Sequence, residues 1–347
     1  MFEPSKFHTV NKLLTVSLIA LGAGLIAPSA AAQITDDDLE CVIEEEVITC
    51  SGDLSDGIDI INPDNELPIE VLNIENVDGN VIGNGIPSGP GTGAFIDFRN
   101  GSNPITINIT DPDIVITGQP QVRINLVDNF DQPTNQSNLI GIFAESADEV
   151  NITNQGTIDL DAALLVPVNE ANPLIRSTGN VTGILVNLPT EIDNRTFGLS
   201  VEDVETIASA RVVNTGTIRL TNIPENDFGG FNFDGIAVGS ARISFENGVR
   251  TFVDNVDIIN TGVIELENGR TGILTEDLNF GELNIVNDGS IRHLITSSRG
   301  FNRGIHVDNS DSFQTISVTN NGDITFCLLY TSPSPRDLST SRMPSSA

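Results

Sequence analysis

Val150-Asn151-Ile152-Thr153-Asn154-Gln155-Gly156-Thr157-Ile158 is a short run of alternating apolar residues, then an Asn-x-Gly step, then a second run entered at isoleucine. The same grammar returns in Arg211–Ile218, Val256–Ile264, Leu283–Ile291 and Ile316–Ile324. Those copies centre on Asn214 and Gly216, Asn260 and Gly262, Asn287 and Gly289, and Asn320 and Gly322. Apolar residues at period two signal a half-buried strand. Asn and Gly are the residues that enter positive φ most cheaply. Each copy therefore predicts a strand, a sharp corner and a second strand.

A second phrase interleaves with the first. Gly-Ile occurs at Gly141-Ile142, Gly183-Ile184, Gly235-Ile236, Gly272-Ile273 and Gly304-Ile305, so that a Gly-Ile strand and an Asn-x-Gly corner alternate strictly from Gly141 onward. The corner asparagines are separated by 60, 46, 27 and 33 residues. Helix-pair repeats keep a fixed period because each unit is a packed pair. A β-solenoid needs only its short strands to match, and its connecting loops can lengthen at modest entropic cost. Asn154, Asn214, Asn260, Asn287 and Asn320 would then stack as a ladder of side-chain amides. Asn-Gly turns of ordinary antiparallel hairpins are the alternative, but a hairpin sandwich has no reason to keep two phrases in one alternating order.

The expected fold is all-β, a single elongated parallel β-helix over about residues 34–326. At roughly 25 to 30 residues per coil and about 4.8 Å per rung, this amounts to about ten to twelve coils and a length on the order of 50 Å. Residues 33–140 carry weaker phrasing, such as Val81-Ile82-Gly83-Asn84-Gly85, and read as an N-terminal cap and first coils. Residues 141–326 read as the coils with Asn-x-Gly corners. The polar stretches Asn187 to Val204 and Thr221 to Asp234 read as insertions projecting from them.

Residues 1–32 read as a signal peptide. Lys6 and Lys12 precede an apolar run from Leu13 to Ile26, and Ala30-Ala31-Ala32 offers a small-residue cleavage site before Gln33. An uncleaved anchor is the alternative, although the run is short for a membrane-spanning helix of roughly 20 residues. Residues 327–347 break the pattern. Cys327-Leu328-Leu329-Tyr330-Thr331-Ser332-Pro333-Ser334-Pro335 and the Ser-rich end resemble the translation of a sequencing adapter. The segment reads as a non-native tail, with the natural chain expected to continue beyond Phe326. A genuine disordered tail is the alternative.

No lysine follows Lys12, and 48 Asp and Glu against 16 Lys and Arg give a formal net charge of −32. That excludes nucleic acid as an expected partner, since a phosphate-binding surface needs clustered basic residues. Disorder is the competing explanation for high charge and few aromatics. It loses because Ile, Val and Leu sit at alternating positions. Asp36-Asp37-Asp38 and Glu44-Glu45-Glu46 read as solvated faces, because no calcium-binding loop pattern surrounds them; no cofactor or metal is expected. Cys41 and Cys50 lie close together in an exported chain, and a disulfide is their expected state.

After the signal segment only His293 and His306 remain as histidines. Both are expected at the solvent or at a coil edge, and no Gly-x-Ser-x-Gly elbow accompanies them. Asp257, Glu265 and Glu267 lie on adjacent predicted strands. They are the carboxylates that an enzymatic reading, a secreted β-helix polysaccharide lyase or hydrolase, would ask to converge.

The signal-like start, the Cys pair with Thr49-Cys50-Ser51-Gly52-Asp53, and the alternation of Asn-x-Gly-x-Ile corners with Gly-Ile strands together resemble the passenger region of a bacterial autotransporter. The resemblance covers roughly residues 1 to 326. It implies a right-handed parallel β-helix presented at the cell surface and carried there by a C-terminal outer-membrane β-barrel. The alternating ten-residue strands of such a barrel do not occur in this sequence. The implied function is a surface-displayed or secreted, non-catalytic passenger in adhesion or cell-envelope interaction, with an unidentified protein or glycan as ligand. A polysaccharide-active enzyme and a purely structural spacer are the alternatives.

Overall fold

The computed structural model describes residues 33–34, 40–62, 68–83, 94–101, 103–118, 123–125, 134–136, 138–162, 176–178, 180–188, 208–222, 232–239, 251–276, 278–279, 281–295, 302–308 and 315–327. The segment read as a signal peptide, the polar stretches after Leu188 and Asn222, and the tail after Cys327 lie outside them.

The chain winds as a parallel β-helix with three walls. The first wall is the Gly-Ile sheet. Ile58–Ile61, Ala94–Arg99, Leu139–Glu145, Asn180–Asn187, Asn232–Gly239, Thr271–Glu276 and Arg303–Asp308 stack on it in parallel, and Gln33–Ile34 closes its outer edge in antiparallel register. The other two walls flank the Asn-x-Gly corner and belong to one 16-stranded sheet. They are joined at the long strand Val71–Ile82, which pairs with both Ile105–Ile109 and Val115–Gly118. Before the corner, Ile105–Ile109, Glu149–Asn154, Ala208–Asn214, Thr251–Asn260, Glu282–Asn287 and Thr315–Asn320 pair in sequence order. After it run Val115–Gly118, Thr157–Asp161, Thr217–Thr221, Val263–Glu267, Ser290–Ile295 and Asp323–Phe326.

Among the described residues this makes seven complete coils and the start of an eighth, fewer than the ten to twelve expected from chain length. The stack spans on the order of 35 Å at the spacing of neighbouring strands. The difference lies in the connections. The chain between Asp161 and Asn180, or between Leu188 and Ala208, lengthens a coil without adding a rung. A small sheet of Arg123–Asn125, Thr134–Gln136 and Arg176–Thr178 is built from two such connections.

Identical positions stack into core columns. Ile116, Ile158, Ile218, Ile264, Ile291 and Ile324 form one, read through the register of the wall after the corner. Ile107, Ile152, Val212, Ile258 and Ile285 form another before it. All but Ile324, which lies on the last coil, are buried. The Gly-Ile wall is buried on its outer side as well, where Ala94, Ile140, Phe143, Leu185, Ala237 and Leu274 make a second apolar cluster.

The walls interlock through the glycines. A Cβ on Gly235 would lie 2.5 Å from Ile264 Cγ2 and 2.6 Å from the Gly272 carbonyl oxygen, and Gly141 and Gly272 meet Ile158 and Ile291 in the same way. Each Gly-Ile glycine thus seats the isoleucine of its own coil's corner phrase, which explains why the two phrases alternate. Where the register puts Phe95 in place of this glycine, Gly83 and Gly118 leave the room its ring occupies.

Candidate functional site

The corner residues come together as one line along the stack. Asn154 Nδ2 donates to Asn214 Oδ1 at 2.8 Å, Asn214 to Asn260 at 2.8 Å, Asn260 to Asn287 at 2.7 Å and Asn287 to Asn320 at 2.6 Å. The first four are fully buried. Their orientation is uniform, and the ladder starts at Asn154, whose Oδ1 is buried without a partner, because Ile109 occupies the corresponding place in the preceding coil. Backbone bonds cross the corner in the same pattern, as in Thr215 N to Asn154 O at 2.9 Å and Thr217 N to Gly156 O at 3.1 Å.

The reason for glycine at the corner differs from the one expected. Positive φ occurs at Asn76, Asn80, Asn222, Asn268 and several glycines, but not at Gly156, Gly216, Gly262, Gly289 or Gly322, nor at the ladder asparagines. Close approach is what demands glycine here: a Cβ on Gly216, Gly262, Gly289 or Gly322 would collide with the carbonyl oxygen of the corner glycine one coil earlier.

Cys41 and Cys50 face each other across the antiparallel pair Glu40–Glu44 and Val47–Leu54, with Cα atoms 4.1 Å apart, and are joined by a disulfide. Glu44, Glu45 and Glu46 are exposed at the turn of this hairpin; Asp36-Asp37-Asp38 lies outside the described residues.

The carboxylates singled out in the sequence do not converge. Asp257 lies before the Asn260 corner and accepts from Asn255 Nδ2 and Asn284 Nδ2, each at 3.1 Å. Glu265 lies beyond the corner, between two arginines. Arg219 Nε reaches it at 3.0 Å and Arg292 Nη1 at 3.2 Å, and Arg219 also approaches Asp159 at 3.8 Å. Registered on successive strands, Asp159, Arg219, Glu265 and Arg292 alternate in sign along the outer surface. Glu267 accepts from the Asn222 backbone at 2.9 Å.

His293 is a correction. It is fully buried rather than at the solvent. It continues the core column of Leu160, Leu220 and Leu266, and its ring stacks on Phe326 at 4.8 Å between centroids and 16° between planes. Ile291 faces inward, so period two carries His293 inward with it. Burial lowers its pKa from the ordinary value, opposed by the backbone of Arg303, 3.1 Å from Nε2, and of Gly269. His306 is half-buried on the outer side of the Gly-Ile wall, with Arg303 Nη1 2.9 Å from its Nδ1.

A charged group that sequence reading missed sits on that outer side at the other end of the stack. Asp97 is fully buried and takes the fork of Arg99 at 2.9 and 2.7 Å. Asp59 lies beside Asp97 in register, and Glu145 beside Arg99. Asn187, next after Glu145, donates to its carboxylate. Burial, then the Asp97 charge, raises the Asp59 pKa to about 6, against the pull of Arg99. Burial works against the Arg99 cation, yet Asp97, Glu145 and Asp59 hold its pKa above the ordinary value. These residues are far apart in sequence and in coils of unequal length, so no spacing announces them.

Among the described residues no group of three or more His, Cys, Asp or Glu is placed to hold a metal, and no helix is long and apolar enough to cross a membrane. No protein-family model, curated protein or solved structure matches this chain.

Proposed function

We propose that this chain is an exported β-helical passenger of the autotransporter kind, displayed at the cell surface or released, that acts in adhesion or cell-envelope interaction without chemistry of its own. The observation that carries the reading is the architecture. A continuous solenoid with an internal amide ladder presents long outer faces set with polar side chains, and its conspicuous carboxylates are engaged by ladder neighbours. Repeat stacks of this kind bind through extended faces rather than pockets. The signal-like start and the formal net charge of −32 fit an extracellular, soluble surface.

The test is to display the chain on cells that lack it, confirm its exposure with antibody, and count attachment to surfaces and to one another. Increased attachment or aggregation is expected. Exposure without any change in either would overturn adhesion, and release of sugar ends from neutral or acidic polysaccharides would replace it with the enzymatic reading.

A further inference from the structure

The first two rungs of the Gly-Ile wall each hold a carboxylate that neither coil stacking nor adhesion uses. Strand Ile58–Ile61 lies in parallel register on Ala94–Arg99, and Asp59 falls directly beside Asp97. Ile58 and Ile60 belong to the core, so alternation turns Asp59 outward. Neighbouring strands lie about 4.8 Å apart, and two carboxylates at such a spacing resist ionising together.

The surroundings decide which one carries the charge. The Arg99 fork holds both oxygens of Asp97, its guanidinium lies 5.3 Å from the centre of the Phe143 ring, and Glu145 competes for the same cation. On the far side, the described residues Gln33 and Ile34 pair with Ile61 and Ile60 and carry no ionisable side chain. Asp59 therefore faces a carboxylate whose arginine is already committed.

We propose that Asp59 and Asp97 form a proton-dependent latch between the first two rungs. With a proton on Asp59, Ile58–Ile61 seats against Ala94–Arg99; when that proton passes to solvent, like charges face each other and the strand loosens. The raised pKa of Asp59, about 6 against an ordinary 3.8, sets the window. Between those values the seated rung holds a proton that the released rung gives up. Seating therefore weakens as pH rises through the window and levels off above about 6.

Hydrogen exchange on the full chain tests this, following residues 58–61 with Ile105–Ile109, a strand without an ionisable side chain, as internal reference. Protection of 58–61, corrected for intrinsic exchange, is expected to fall roughly tenfold between pH 4.5 and 7.5, a figure discounted for solvent screening. The reference strand is expected to stay level, and Asp59→Asn to flatten the profile at high protection. A wild-type profile already flat overturns the latch whether or not the variant folds, and so does a slope that survives in Asp59→Asn or Asp59→Ser.

Discussion

Asn260 serves two neighbours at once, accepting from Asn214 and donating to Asn287. Asn260→Ala leaves a buried donor and a buried acceptor unpaired, at about 1–3 kcal/mol each. Asn154 already holds an orphan Oδ1, so Asn154→Ala strands only the Asn214 acceptor. Denaturant unfolding is expected to show Asn260→Ala costing about twice as much as Asn154→Ala. His293 gives the second residue-scale expectation. Its folded pKa lies below the ordinary 6.5, so the unfolded chain takes up the proton first. The stability tied to the neutral ring is complete above that value and is lost as pH falls from it toward the folded pKa. With His293→Leu, which continues the leucine column, the melting temperature at pH 5.5 relative to that at pH 7.5 is expected to be higher than in the unsubstituted chain. An unchanged difference would place the sensitivity elsewhere. The positions of these asparagines were legible in the sequence; the cause of the corner glycine was not. Asn-x-Gly looks the same whether glycine serves positive φ or close approach, and only the stacked carbonyls distinguish the two. His293 departs from its expected place because the period of its strand, counted from Ile291, carries a polar ring into the core.

At the scale of elements, the alternation of the two phrases was legible while its mechanism was hidden. Gly235 and Ile264 are 29 positions apart in name only, since their walls meet inside one coil. Gly235→Ala overpacks that contact and is expected to cost about 1–3 kcal/mol. Ile264→Ala alone opens a cavity at about 2–5 kcal/mol. The double variant is expected to be less destabilised than the sum, because removing Cγ2 makes room for the new Cβ. Additive costs in unfolding experiments would show that the two walls do not meet there. The first coils were harder to read for the same reason. Where Phe95 fills the core in place of a Gly-Ile glycine, its compensation by Gly83 and Gly118 comes from other walls and another coil, and the phrase disappears from the local sequence.

Over the whole molecule, charge and length dominate. A formal net charge of −32 on one chain makes self-repulsion a standing opponent of compactness. Raising salt from about 10 mM to about 150 mM shrinks the screening length from roughly 30 Å to roughly 8 Å. The melting temperature is therefore expected to rise over that interval, the half-buried to exposed alternating ladder of Asp159, Arg219, Glu265 and Arg292 losing less than the global repulsion. A fall would mean that local pairs outweigh net charge. The fold class was legible at this scale because every coil repeats the same two phrases. The number of coils was not, because connections of unequal length carry no signature of how little they add to the stack.

Those unequal connections give the solenoid a mechanical character. A load applied at the Asn320 coil would strip rungs back from there, and each rung, once its amide link breaks, would pay out the chain between that link's two asparagines. The links are 33, 27, 46 and 60 residues apart in that order, and each residue contributes roughly 3.5 Å when extended. The molecule would lengthen under tension in graded steps, giving least at the second and most at the fourth, as a tether that softens a sudden pull before its inner coils yield.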